Sequence, residues 1–263
     1  NNFMKLKNFQ TNAINDLLIK SEKLFNKDGK RRIIFKSPTG SGKTIMLADY
    51  INRIIKDKIF KKPVSFIWTT PRRTLTLQSR NKLNKYLSSY RRAKCSFFEE
   101  LIENNIPENV ILFLNWESIN KIDKNTIVIE NEREFYLNKV LENTKDKGRE
   151  IILIIDESHH HATSKISQKL IKDISPKLTL ETSATPIMED PDEIVSVSLE
   201  EVKIAGLIKK SVILNDKFKN LLSKNKIKSS LSDGSEKFVI DQAIKKQIEL
   251  KKKYKEVKSK VNP

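Results

Sequence analysis

The chain has 263 residues, 38% hydrophobic and 32% charged, with one cysteine and a formal net charge of +18. That length suits one α/β domain with an appendage, and a lone Cys95 excludes an internal disulfide framework and fits a reducing, cytoplasmic setting. No apolar run is long enough to span a bilayer and no signal-peptide pattern opens the sequence, so no membrane partner is expected.

Apolar residues at helical spacing predict a first helix from Phe9 to about Phe25, after which Asp28-Gly29 turns the chain. Arg32-Ile33-Ile34-Phe35-Lys36 is β-prone. It leads into Ser37-Pro38-Thr39-Gly40-Ser41-Gly42-Lys43-Thr44 and then a helical pattern from Ile45. Strand, glycine-containing loop, Gly-Lys-Thr and helix together are the context of a phosphate-binding P-loop. The backbone from Thr39 through Gly40, Ser41 and Gly42 would wrap the phosphates, with helix N-terminal N–H groups aimed at the anion. Lys43 would reach the β- and γ-phosphates and the Thr44 hydroxyl would hold Mg²⁺. Ser37 stands where the consensus opens with glycine.

Lys61-Lys62-Pro63 breaks the helical pattern, and Val64-Ser65-Phe66-Ile67-Trp68 reads as a buried strand ending at Thr69-Thr70-Pro71. A helix from Arg73 to Tyr90 follows, with Leu75, Leu83 and Leu87 near one face. Val110-Ile111-Leu112-Phe113-Leu114 is the next buried strand, followed by Asn115-Trp116-Glu117-Ser118. Residues 120–150 are polar and lysine-rich, with a helix expected from Asn131 to Lys145, and read as an insertion or surface excursion. Ile151 to Ile155 is a strand buried on both faces that runs into Asp156-Glu157-Ser158-His159-His160-His161. A helix around residues 164–174 stops before Pro176. Lys177-Leu178-Thr179-Leu180-Glu181 is a further strand, delivering Thr182-Ser183-Ala184-Thr185-Pro186. Ile194 to Leu199 alternates like a strand, Glu200 to Ala205 is a short helix closed by Gly206, and Leu207 to Leu214 is again strand-like. Residues 219–236 are polar, and a lysine-rich helix is expected over 236–257.

Continuous apolar strands alternating with helices predict a mostly parallel sheet covered on both faces. Each polar motif immediately follows a strand, so the motifs should meet at the sheet's carboxyl edge. There Asp156 would hold Mg²⁺ through water, and Glu157 would polarise the water that attacks the γ-phosphate. The hydroxyls from Thr182 to Thr185, Ser183 and Thr185 among them, would sense and relay the state of the phosphates. The three consecutive histidines project in different directions and no other histidine exists, which argues against a zinc site built from this run. His159 fits a hydrogen-bonding link, and His160 and His161 fit local packing.

Ser-Pro-Thr-Gly-Ser-Gly-Lys-Thr, Thr-Pro-Arg-Arg-Thr-Leu, Asp-Glu-Ser-His and Thr-Ser-Ala-Thr-Pro resemble motifs I, Ia, II and III of superfamily 2 helicases and translocases, in their usual order. Asn115 to Ile119, Asp156 to His161, Gly206 to Lys210 and the closing Lys251 to Pro263 look like the Res subunit of type III restriction enzymes. The resemblance implies a RecA-like P-loop NTPase domain over residues 1–205 and a lysine-rich connector over 206–263 toward a second RecA-like lobe. It also implies ATP and Mg²⁺ as cofactors, a motor on double-stranded DNA, a Mod-type methyltransferase that reads the sequence, and a nuclease domain later in the full-length protein. By position, Lys43, Asp156 and Glu157 become the catalytic residues. Arg72, Arg73, Thr74, Asn115 and Trp116 become the DNA contacts, and Gln10 resembles an adenine-recognising glutamine.

Several residues admit a second reading. Gln10 could be an ordinary helix-surface glutamine, Arg72 to Thr74 a solvated helix cap, and Trp116 a core residue. A basic surface favours a polyphosphate partner, although lysine-rich composition also follows from genomic base bias. Residues 209–263 carry 16 lysines against six acids, which fits either DNA contact or a solvated linker. An RNA helicase, a DNA repair helicase and an ATP-gated nucleic-acid clamp without translocation fit the same motifs. Because no second lobe follows within the chain, ATP is expected to bind weakly and turn over poorly.

Overall fold

The computed structural model describes residues 6–71, 73–88, 90, 92–115, 127–156, 171–208 and 248–249. The chain divides into Asn1–Lys210 and Ser211–Pro263; of the second unit only residues 248 and 249, both helical, are described. The first unit runs α1 (Asn8–Phe25), β1 (Arg31–Lys36), α2 (Lys43–Asp57), β2 (Val64–Thr70), α3 (Arg73–Leu87), β3 (Lys94–Phe97), β4 (Val110–Asn115), α4 (Ile127–Asp146), β5 (Glu150–Asp156), β6 (Leu178–Ser183), β7 (Glu193–Ser196) and α5 (Leu199–Ile204).

The seven strands form one sheet in the order β3-β4-β2-β5-β6-β1-β7, and every pairing is parallel. Parallel strands need crossovers, so the sheet is covered on both faces and its central strands are apolar throughout. The period-2 alternation of side chains sorts β5 cleanly. Ile152 and Ile154 join the cluster beneath α1, α2 and α3, while Ile151, Leu153 and Ile155 join a second cluster with Leu137, Val140 and Leu141 of α4. Trp68 of β2 stacks on Phe113 of β4 at 5.6 Å between ring centroids within the first cluster. Tyr50 of α2 is fully buried, and its hydroxyl is bonded at 2.8 Å to that of Ser21 in α1. These contacts hold α1 and α2 as a rigid pair behind β1 and the loop that follows it.

Several expectations need correction. The stretch over 120–150 is not a surface excursion where it is described, because Leu137, Val140, Leu141 and Thr144 are buried beneath the sheet. Lys139, Glu142, Asp146 and Lys147 are exposed, and such charges mask the apolar stripe in the composition. Helix α3 stops at Leu87 rather than Tyr90. The edge strand β3, Lys94-Cys95-Ser96-Phe97, was not anticipated, since four residues with only alternate burial present no apolar run. The glycine stop at Gly206 is as expected. Its N–H reaches Lys203 O and the Leu207 N–H reaches Val202 O, a Schellman closure with Gly206 at φ 73°. Leu207 and Ile208 form a bend, not the start of a strand. No helix among the described residues is long and apolar enough to cross a membrane.

Candidate functional site at the carboxyl edge of the sheet

β1, β5 and β6 are consecutive neighbours through β6, and their carboxyl ends carry the three motifs. After β1 the chain makes a tight turn in which the Ser41 N–H donates to Pro38 O at 3.1 Å. Gly40 and Gly42 adopt φ 84° and 87°, a region that side-chain-bearing residues rarely enter. A Cβ on Gly42 would lie 2.5 Å from Gln10 Nε2, and one on Gly40 would lie 2.8 Å from Ile208 Cγ2. Helix α2 then starts at Lys43, leaving its first N–H groups at the loop. The serine that replaces the opening glycine has a local structural role. The Ser37 and Ser41 hydroxyls are bonded at 2.6 Å, both residues are buried, and the pair cross-braces the loop.

Asp156 ends β5 and is 6% exposed. Its Oδ1 is 3.3 Å from Lys43 Nζ and accepts the Thr182 hydroxyl at 3.1 Å, while its Oδ2 accepts the Ser79 hydroxyl at 3.4 Å. Three elements therefore converge on one carboxylate: the start of α2, the end of β6 and the middle of α3. The P-loop and the third motif are also joined through the backbone, since the Ser37 N–H donates to Ser183 O at 3.1 Å. Ser183 Oγ accepts the Thr185 N–H at 3.1 Å, closing the turn after β6. Thr44 is half-buried in the first turn of α2 and Thr39 is exposed at the loop.

Gln10 is not a surface glutamine. It is 4% exposed, its Nε2 donates to Ser41 O at 2.8 Å, and its Oε1 accepts the Lys7 N–H at 2.9 Å. The amide thus bolts α1 to the P-loop, while Nε2 and Oε1 each have one further hydrogen-bonding valence. Between the start of α1 and α5 lies a cleft of about 600 Å³ bordered by Lys7, Phe9, Asn12, Glu201 and Ile204, which Gln10 itself does not line.

The remaining sequence-derived positions divide clearly. Arg73 opens α3, Thr74 is exposed in its first turn, and Asn115 ends β4 half-buried, so these three reach the same sheet edge. Arg72, Trp116, Glu157 and His159 lie outside the described residues, as do His160 and His161. Cys95 is buried, and burial pushes its thiol up to about 12, which disfavours the reactive thiolate.

Sequence reasoning missed two residues. Ser79 carries no motif signature, and its only cue is a polar side chain in helical register with the buried Thr76, Leu83 and Leu87. Glu181 is a 1%-exposed carboxylate whose oxygens accept the N–H groups of Ile187 at 2.8 Å and Met188 at 3.0 Å, bracing the loop after the third motif. Its cue was a charged residue inside an otherwise buried strand.

An all-parallel sheet with a glycine loop after β1, a lysine opening the next helix and an aspartate ending a neighbouring strand defines a RecA-like P-loop domain. The chain belongs to the type III restriction enzyme, res subunit family, whose model matches residues 3–188. It is thus an ATP-dependent helicase-like domain. Among solved structures, the DUF1998 helicase MrfA bound to DNA is similar at 13% identity and a TM-score of 0.44, over 73% of this chain and 27% of that one. This chain therefore spans about a quarter of that protein's length. No curated protein matches it.

Proposed function

We propose that this chain is the ATP-binding half of an ATP-driven DNA translocase, acting in a type III restriction endonuclease. The observation that carries the reading is the convergence of Lys43, Thr182 and Ser79 on the buried Asp156 beside a loop whose Gly40 and Gly42 have no room for side chains. Such a loop brings backbone N–H groups close to an anion, and Lys43 supplies the positive charge that β- and γ-phosphate oxygens require. The donor set suits magnesium, because the Thr44 hydroxyl and the Asp156 carboxylate are hard oxygen ligands at the same edge. When bound, the ion supplies charge that stabilises the phosphate oxygens.

The other roles follow from position. Glu157, directly after Asp156, orients the attacking water, and Thr182 with Ser183 and Thr185 links that carboxylate to the rest of the machine. Gln10, with its two remaining valences, and the cleft beside α1 take the adenine. Arg72, Arg73, Thr74, Asn115 and Trp116 contact the DNA backbone. In the full-length protein a second RecA-like lobe closes over the phosphates, a Mod-type methyltransferase supplies the recognition sequence, and a nuclease domain cuts.

The test is binding of ATP with magnesium to the chain, compared with Lys43→Ala. Binding is expected in the parent and a loss of at least about tenfold in the variant, since a charge-assisted contact to phosphate is removed. Hydrolysis by the isolated chain should be slow, because half of the transition-state charge stabilisation comes from the second lobe. Fast, DNA-stimulated turnover by these residues alone would contradict that. In the full-length protein, Glu157→Gln should retain ATP binding and lose movement on DNA. Unchanged DNA function would instead indicate a clamp that does not translocate.

A further inference from the structure

Helix α3 starts at the turn assigned to the DNA backbone, yet its inner face reaches the nucleotide side of the sheet. Thr76, Ser79, Leu83 and Leu87 share that face at helical spacing. Leu83 and Leu87 are buried in the core, and the Thr76 hydroxyl is bonded to that of Thr70 at the end of β2. β2 pairs with β5 through Thr69 and Ile155, so the anchored first turn of α3 sits over the strand end next to Asp156. Ser79 is one turn further on, and its hydroxyl donates to Asp156 Oδ2 at 3.4 Å. Lys43 and Thr182 both address the other oxygen, Oδ1. Among the described residues only Ser79 addresses Oδ2, so its loss removes that restraint on rotation about the Cβ–Cγ bond.

We infer that Ser79 is a positioning residue, holding Oδ2 of Asp156 in the orientation from which that carboxylate holds magnesium. The inference rests on the nucleotide reading above. It extends that reading to a helix outside the P-loop and the strand-end motifs, and gives α3 a contact at each end of the machine. About five residues separate Thr74 from Ser79, some 8 Å of rigid helix.

The test is a magnesium titration of fluorescent N-methylanthraniloyl-ADP binding to the chain, with Ser79→Ala and Ser79→Thr. Alanine favours the helix and the position is half-buried, so the variant should fold. Loss of one hydrogen bond to a charged group is expected to raise the magnesium midpoint about fivefold. Affinity measured in EDTA should be unchanged, and threonine, which keeps the hydroxyl, should restore the parent midpoint. An unchanged midpoint in Ser79→Ala overturns the inference. So does an equal loss with and without magnesium that threonine fails to rescue, the signature of a merely structural role. A parent chain that binds no ADP under any condition overturns the nucleotide reading itself, and the Lys43→Ala comparison identifies that case separately.

Discussion

Lys43 Nζ lies 3.3 Å from Asp156 Oδ1, with side chains only 15% and 8% exposed. A charge pair this sheltered gains little overall, because desolvation offsets much of the attraction, but removing one member takes from the other a charge that offsets its desolvation. Lys43→Ala should therefore lower the unfolding free energy by about 2–3 kcal/mol, a figure reduced from the fully buried case for partial solvent access. The double variant Lys43→Ala with Asp156→Ala should recover part of that loss. Urea denaturation of the parent, both single variants and the double variant measures the coupling. Additive losses would mean that the pair is not energetically linked. The two residues were legible in the sequence because each ends or begins an element at a motif of fixed spacing. Thr182 and Ser79 complete the same carboxylate but were less visible. Thr182 was one of several adjacent hydroxyls, and only the register of β6 against β5, with Thr182 opposite Asp156, selects it. Ser79 needed the docking angle of α3, which no local pattern encodes.

At the scale of elements, the site is held by braces that cross between secondary structures. Glu181 is the clearest. It lies inside the buried strand β6, one residue before Thr182, and both carboxylate oxygens are occupied by the backbone of the following loop. Glu181→Ala would leave two N–H groups without their partner in a poorly hydrated pocket, and is expected to cost about 3 kcal/mol. A lower urea midpoint at constant m-value would report it. Glu181→Gln should cost less, since an amide still offers one acceptor. Gln10 plays the equivalent part for α1, and Gly42 cannot become alanine without displacing that amide. The strands carrying motifs could be placed from sequence because they are unbroken apolar runs, as parallel central strands must be. β3 could not, being short and at the edge. It is held instead from the side by Arg80, whose guanidinium lies 4.2 Å over the Phe97 ring and bonds Glu100 at 2.7 Å. The inner face of α4 was also hidden, because three buried apolar residues are diluted among charges that face outward.

Across the whole molecule, structure and charge are distributed differently. Every described core residue lies between Phe9 and Val202. Residues 209–263, in contrast, hold 16 lysines and six acids, and so carry +10 of the net charge of +18. The predicted helix over 236–257 holds seven lysines, and if it presents one face to a duplex about a third of them reach phosphates. Each neutralised phosphate contributes about −0.9 to the slope of log K against log salt, so removing residues 215–263 should flatten that slope by about 2. Fluorescence anisotropy of a labelled duplex, titrated at several salt concentrations with the intact and shortened chains, gives both slopes. An identical slope would mean that the tail neutralises no phosphates and is a solvated connector, leaving the contacts to α3 and the end of β4. Arg73→Ala with Thr74→Ala should then carry the salt dependence instead, reducing the slope by about 1 for the single arginine charge lost. The two experiments together assign the basic charge either to the strand-end surface or to the tail.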